Sequence, residues 1–559
     1  MIGRTALLLL GVAAACCSKS EVKGGGSASD QEPAQASFTV FALAEVRGQI
    51  GPCGCTSDPL GDISRTAKLI ADARAAGPVL VVDAGSLLFS QNPIPPQLAA
   101  QENLKADLLA QLYQGELHVA AVGLGPADLA QGDKGVRFPR EAVDVTDPAM
   151  PIAPPRIERV GDAKVGVFGV IATDTMKVAL GDPVAAGKQA VAQLRAQGAQ
   201  LIVGLVQAST KKDAVELMRG IGGIDLAIAG LGQNAPEPER VAIAPDKVGD
   251  GWLIVPANRG QVLARIDVTL RGAGPLADAI GKGAATARIA AIDAQLEALD
   301  ADLARYAGDK DADPAFVAQK KAERSALAAE RDRLAAHPLV VPAHGSFFTL
   351  DQIRINKTLA CSAPVVDAIK HYDAAAGAAN VKAAEGTPVP PAPPGKASYV
   401  GSASCSDCHG DEAKFWDHTV HAQAWKTLVD RGQQFDLECI GCHVTGWDKP
   451  GGSNLAHNDQ LRDVQCETCH GPGSIHVAKG GEEKPPAVHK DPPEDLCATQ
   501  CHTHEHSDTF QREAYLRDIV GKGHGEALRK KLGDGPTGHD LRTAALDKAG
   551  RTLGAGCVK

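Results

Sequence analysis

The sequence predicts a multidomain chain. It has an N-terminal α/β sandwich, a helical hairpin inserted into it, and a mainly α-helical C-terminal domain built around cysteines. Three observations carry this. Short apolar β-rich runs alternate with helical stretches over residues 38–272. A heptad stripe follows over Ile289–Tyr306. Nine of the 14 Cys, from Cys405 on, crowd the last 155 residues.

Length and composition bound the rest. The 559 residues, 44% hydrophobic and 22% charged, suffice for two to four domains with ordinary cores. They exclude collagen, wholesale disorder and a polytopic membrane protein. A net charge of −10 is too mild to imply a nucleic-acid partner.

The chain opens with Arg4, the apolar run Ala6–Ala15, then Cys16-Cys17 and a polar Ser-Lys-Ser. This describes an export signal, too short to span a bilayer as a helix. Val12–Cys16 resembles a bacterial lipobox, with Ala13 where Leu is usual. The resemblance implies cleavage before Cys16 and acylation of Cys16, so residues 1–16 would be a lipoprotein signal. An ordinary signal peptide cut nearby is the alternative. Residues 17–36, rich in Gly, Ser, Gln and Ala, read as a flexible tether to the membrane.

The front domain is expected over 37–272. Its strands are Phe38–Ala44, Val79–Val82, His118–Val122, Val165–Val170, Leu201–Val206 and Leu226–Ala229. Helices such as Ile63–Ala75 and Gly187–Ala196 separate many of them. Trp252–Val255 and Leu263–Leu270 lack intervening helices, which makes the sandwich mixed. Cys53-Gly-Cys55 falls in the loop after the first strand. It reads either as a redox or metal-binding pair, or as a structural bond to Cys361 or Cys557.

Ile289, Ile292, Leu296, Leu299, Leu303 and Tyr306 recur by three and four. Gly308–Asp313 breaks that helix and Pro314 starts a second, so 284–337 reads as an antiparallel hairpin. It is a spacer arm or a partner-docking arm. Residues 338–380 close the front domain, and the Pro-rich stretch 384–397 is a semi-rigid linker.

Residues 398–559 carry the chemistry. Cys405-Ser-Asp-Cys408-His409, Cys439-Ile-Gly-Cys442-His443 and Cys466-Glu-Thr-Cys469-His470 repeat one motif, for which chance expectation is about 0.01 per chain of this composition. Two thiols on one turn reach the two vinyl groups of a porphyrin, and the adjacent His points at its iron. Zinc does not require His directly after the second Cys, and a redox dithiol would not recur three times. The motif therefore reads as attachment of haem c. Cys497-Ala-Thr-Gln-Cys501-His502 continues the series with one extra residue, which must bulge for both thioethers to form. A single thioether or a lost site is the alternative. Four haems are expected, three at regular sites.

Nine further His lie past residue 410: His418, His421, His457, His476, His489, His504, His506, His524 and His539. So many beside four irons point to distal ligands. A helix over Asp411–Asp430 would put His421, Trp425 and Leu428 on one face. His476 follows a Gly-Pro-Gly-Ser loop that can bring it onto a neighbouring haem.

"CIGCHVTGW", "VQCETCHGPGSIH" and the Trp416–"HAQA" stretch together resemble the tetrahaem cytochrome c family of ammonia oxidisers, over about 398–525. The resemblance implies some bis-His and some five-coordinate irons. It makes His421, His476, His506 and His524 distal ligands beside the proximal His409, His443, His470 and His502.

The order of front-domain elements resembles the metallophosphoesterase fold of bacterial 5′-nucleotidases. In that fold two metals bridge a water and polarise a phosphate. Here the Asp-x-His position reads Glu45-Val46-Arg47, and Gly-Asp reads Gly85-Ser86. Gly-Asn-His reads Gly125-Pro126-Ala127, a later His reads Gln207, and Gly-His-x-His reads Gly230-Leu231-Gly232-Gln233. With Glu45 the one acid left, such a set does not hold two divalent ions.

These readings converge on a periplasmic, lipid-anchored multihaem protein that passes electrons to redox partner proteins. Its front domain is then a catalytically inactive scaffold. Rival readings are a multihaem oxidoreductase acting on a small nitrogen or sulfur species at an open haem, a 5′-nucleotidase-like hydrolase, and a module whose haems report ligand occupancy.

Overall fold

A computed structural model describes residues 32–559 except 53–55, 174, 273, 308–313, 340, 483–486, 504, 505, 550–556, 558 and 559. The expectations for Cys16, the tether, Cys53, Cys55 and His504 lie outside the described residues.

The front domain begins with β1 (Ala36–Leu43), α1 (Ile63–Ala76), β2 (Val79–Asp83), α2 (Ala99–Gln114) and β3 (Ala121–Val122). Then come β4 (Arg140–Glu141), β5 (Ile152–Ala153), β6 (Arg156–Val160), β7 (Ala163–Ala172), α3 (Pro183–Ala196), β8 (Leu201–Ala208), α4 (Lys211–Ile221) and β9 (Leu226–Gly230). It continues with β10 (Asp246–Val248), β11 (Gly251–Ile254), β12 (Val262–Leu270) and β13 (Ala277–Asp278). After the hairpin α5 (Lys282–Ala307) and α6 (Pro314–Ala336), β14 (Phe347–Arg354) and α7 (Ala363–Ala384) complete it.

Two six-stranded sheets form the sandwich, ordered β13-β14-β12-β1-β2-β3 and β10-β11-β9-β8-β7-β6. Parallel pairs β1–β2, β7–β8 and β8–β9 follow from the intervening helices, whereas β1–β12 and β12–β14 run antiparallel. The inner faces meet in one core that includes Val40, Val82, Val165, Val203, Ile266 and Phe348. Outer helices cover the other faces, so the central strands read as continuous apolar runs.

Local signals explain the boundaries. The Asp62 carboxylate caps α1 by accepting from Ser64 N–H, and Asp182 caps α3, which has Pro183 in its first turn. The strand expected over His118–Val122 shrinks to β3. Leu117 and Val119 N–H instead donate to Leu112 and Tyr113 at the end of α2. β14, after the hairpin, pairs with β12, and α7 packs on α1 and α2.

The C-terminal domain is built of short helices: α8 (Ala403–Ser406), α9 (Gly410–Asp417), α10 (Ala424–Val429), α11 (Cys466–His470), α12 (Ser474–Ala478), α13 (Leu496–Gln500), α14 (Arg512–Ile519), α15 (Glu526–Leu532) and α16 (Gly538–Lys548). Its apolar core is small, with Ile440, Val444 and Leu461 buried beside Tyr399, Trp425 and Trp447. The buried Glu467 carboxylate gathers Val400, Gly401 and Gly473 N–H groups around α11.

One expectation is corrected here. Residues 411–430 are not one helix. Thr419 is extended, its hydroxyl donates to Trp416 O at 2.7 Å, and His418 Nδ1 lies 2.7 Å from Lys414 O. Side-chain bonds back to the preceding turn end α9. His421 therefore lies on the 3₁₀ turn Val420–Gln423, not on a helical face with Trp425 and Leu428.

The two domains are stitched together. Cys361, just before α7, is disulfide-bonded to Cys557 near the C-terminus. Lys105 of α2 pairs with Glu102 and Glu438, both at 2.7 Å. Asn380 of α7 donates to Phe435 O at 3.0 Å, and Gln101 donates to Asp436 at 2.6 Å. The linker is held too, with Pro390 O accepting from Gly451 N–H.

Candidate functional site

Each Cys/His motif sits on a tight helical turn. In the first, Cys408 and His409 N–H both reach Cys405 O, at 3.2 and 2.9 Å. Thiols three residues apart on such a turn share a face. At the fourth site α13 holds Cys497, and Cys501 N–H lies 3.3 Å from Cys497 O. His502 N–H again bonds the carbonyl of the first cysteine, Cys497 O, at 2.8 Å. The extra residue is taken up by a turn one residue wider, of π type. Positions four apart also share a helix face, so both thiols stay on one side.

The proximal histidines are met by others. The ring centres of His409 and His476 are 6.4 Å apart, those of His502 and His421 6.3 Å, and those of His470 and His524 6.0 Å. A metal–imidazole bond is about 2.0 Å, so two such bonds in line, with the nitrogen-to-centre distance added at each end, give about 6 Å between ring centres. His443 has no such histidine pairing among the described residues; its Nδ1 lies 2.5 Å from Ala424 O. His506 is described through its turn, its N–H donating to Thr503 O at 3.0 Å.

Backbone carbonyls set the tautomers. Nδ1 of His443, His470 and His524 faces Ala424, His489 and Ile519 O, at 2.5, 2.7 and 2.7 Å. A carbonyl only accepts, so Nδ1 carries the proton and Nε2 of the neutral ring keeps its lone pair. Burial holds His421 and His443 below the usual histidine range and pushes His502 down to about 4. Neutral imidazoles are the form a metal takes.

The sites group in pairs. The Cys405 and Cys466 thiols interact electrostatically, linking the first and third motifs, as do those of Cys501 and Cys442, and Cys442 Sγ donates to Gln500 O at 3.5 Å, linking the second and fourth. The donor set fits covalent haem: two thiols on one face of a turn, an imidazole beside them, and at three sites a second imidazole at the spacing an iron needs.

The front cleft has a different character. Glu45 Oε2 pairs with Arg47 Nε at 3.0 Å, and its Oε1 accepts from Gln207 at 3.1 Å and Gly232 N–H at 3.0 Å. Arg47 also donates to Gln233 at 3.2 Å. The carboxylate is thus saturated by protein donors, although burial still raises its pKa. Glu45, Arg47 and Ser86 all have positive φ (53°, 51° and 58°). Such strain on non-Gly residues persists only where surrounding bonds fix it.

The sequence suggested Glu45 as the one acid of this cleft, and the structure adds two more. Asp128, one residue past Ala127, accepts from Ser86, Leu87, Leu88 and Gly125 N–H at 2.9–3.1 Å and pairs with Arg140 at 3.2 Å. Asp83, at the end of β2, is wholly buried and accepts from Tyr113 Oη at 2.7 Å. The strand-end position of Asp83 was the readable signal. Asp128 gave none, because its role is to tie backbone amides of two loops.

Comparison with known proteins separates the two halves. Residues 404–471 match the family described as cytochrome c554 and c-prime, a span that holds the three regular motifs. A curated relative, cytochrome c-554 of Nitrosomonas europaea, is 34% identical over 93 residues, 14% of this chain and 40% of that protein. The chain thus spans about two fifths of that relative. Solved structures similar to the chain include a 5′-nucleotidase precursor from Thermus thermophilus. It has 17% identity and a TM-score of 0.41, with 64% of this chain and 61% of that chain covered. The calcineurin-like phosphoesterase YfkN from Bacillus subtilis has 21% identity and a TM-score of 0.34, with 42% of this chain and 86% of that chain covered.

Proposed function

We propose that the protein is a lipid-anchored periplasmic cytochrome that passes electrons through four covalently bound haems, with its front domain as a non-hydrolytic scaffold. The observation that carries this reading is the set of three histidine pairs with ring centres 6.0–6.4 Å apart, each joining a motif histidine to a remote one. When bound, the haems supply one-electron redox chemistry. The chain's own part is to hold each imidazole oriented, so that no ligand is exchanged when an electron passes. The adjacency of Cys405 with Cys466 and of Cys442 with Cys501 supports close haem pairs.

The ion pair of Glu45 with Arg47, where the related fold needs metal ligands, supports the scaffold role. The signal-like run ending at Cys16 supports export and anchoring. The acceptors and donors are redox proteins, and nothing in the charge favours nucleic acid.

A second reading has one observation behind it. His443 is met by no histidine ring among the described residues, which favours a small-molecule oxidoreductase at the second site. Intact mass of the purified protein, with haem staining of a denaturing gel, tests the main reading. Four haems are expected. Three would assign Cys497–His502 as lost, and two or fewer would overturn the reading.

A further inference from the structure

We propose that Ser57, in the front domain, is a positioning residue for His502, and so tunes the fourth haem from outside the cytochrome domain. This rests on the reading of Cys497–His502 as a haem site.

The link is a short chain of contacts. Ser57 is 4% exposed and lies between β1 and α1. Its N–H donates to both Asp508 carboxylate oxygens, at 3.2 and 3.3 Å, and its hydroxyl donates to Oδ2. A carboxylate taking an N–H and an O–H from one residue is held in both position and orientation.

Asp508 belongs to the turn that packs against His502. Its neighbour Ser507 places Oγ 3.1 Å from His502 Nδ1. Ser507 N–H donates to Thr503 O at 2.8 Å, and Phe510 N–H donates to Ser507 O at 3.1 Å, which closes the turn. The Phe510 ring lies 5.0 Å from the His502 ring at an interplanar angle of 12°, with Tyr515 edge-on at 5.1 Å. One face and the Nδ1 edge of this imidazole are therefore set by residues 507–515, and the front domain grips that segment at Asp508.

The direction of the effect follows from the hydrogen bond. Ser507 donates its own proton to Tyr515 Oη at 3.3 Å, which leaves its oxygen to accept from His502 Nδ1–H. A ring that donates from Nδ1 is more electron-rich at Nε2 and favours the oxidised iron. Releasing Asp508 lets the turn drift and weakens that bond. The reduction potential of the fourth haem then rises, and the other three keep theirs.

Outer-shell partners of metal-bound histidines change metal affinity or activity by about 10- to 100-fold when lost. A contact from a separate domain puts that control where a partner or ligand of the front domain can reach it.

The test uses full-length protein. Covalent haem is counted first by intact mass, which decides whether the fourth site is filled. A wild type with three haems refutes the haem reading of that site, independently of Ser57. With four haems, spectroelectrochemical titration compares wild type, Ser57→Ala, Ser57→Thr and Asp508→Asn. The expected result is one potential shifted upward in Ser57→Ala and Asp508→Asn, and restored in Ser57→Thr. Should Ser57→Ala fail to load haem, Asp508→Asn reads the same contact from the other side. Four unmoved potentials, or a shift shared by all haems, would overturn the proposal.

Discussion

His421 sits on a 3₁₀ turn, half-buried, with its ring facing that of His502. Replacing it by Ala removes one imidazole and no thiol. The variant should keep its covalent haem and gain a high-spin signal from one iron, with one more carbon monoxide bound on reduction. Unchanged spectra and stoichiometry would show that His421 is no ligand. The histidine itself was legible in the sequence, as one spare imidazole among several. Its partner was not, because the break at Thr419 depends on a hydroxyl bonding back to Trp416, which helical periodicity does not register.

Asp83 makes a second prediction at this scale. Burial pushes its carboxyl up to about 7, against the Gly85 N–H and Tyr113 hydroxyl that stabilise the charged form. Between the ordinary carboxylate value of about 4 and that raised value, the folded state holds a proton the unfolded state has lost. Stability contributed by this group is full on the acid side and is lost as pH rises. Inside the window the loss is about 1.4 kcal/mol per pH unit. The thermal midpoint of the front-domain transition should therefore fall from pH 5 to pH 7. Asp83→Asn should lower it but flatten the slope; an equally steep slope in that variant would assign the dependence elsewhere.

At the scale of elements, the front domain was the more readable half. Apolar runs such as Leu201–Val206 lie in strands buried on both faces, and α1 starts at the expected Ile63 behind its Asp62 cap, whereas α3 begins at Pro183, a turn before the expected Gly187. The hairpin followed from its stripe, and Ile292 and Leu296 do pack against Leu334 of α6. Pairings between distant segments were not readable. β14 joins β12 only after the whole hairpin has been inserted, and the partner of Cys361 lies 196 residues on.

That disulfide carries its own test. In the chain-entropy account, closing a loop of this length stabilises the linked segments by about 5 kcal/mol. Replacing both Cys361 and Cys557 by Ser should free the C-terminal tail from α1, where Cys557 N–H now donates to Asp62. Limited proteolysis should then cut near the C-terminus first. Equal resistance in the variant would mean that the remaining contacts hold the tail alone.

At the scale of the whole molecule, a front domain with a closed polar cleft grips the C-terminal domain beside two of its Cys/His motifs. Lys105 and Gln101 hold residues 436–438, just before Cys439, and Ser57 holds Asp508, past His502. With Arg47 occupying Glu45, the front domain should show no hydrolysis of nucleotides or phosphodiesters with Mn²⁺, Zn²⁺ or Mg²⁺. Metal-dependent turnover abolished by Glu45→Gln would restore the hydrolase reading.

The account rests on three histidine pairs, with His443 met by no histidine ring among the described residues. Six-coordinate irons with two imidazoles resist carbon monoxide, and an iron held by His443 alone does not. The decisive measurement is the number of carbon monoxide molecules bound per protein after full reduction, with haem counted on the same sample. One carbon monoxide for four haems is the predicted result. None bound, or more than one, would contradict the pairing of His409 with His476, His502 with His421 and His470 with His524, or the openness of His443.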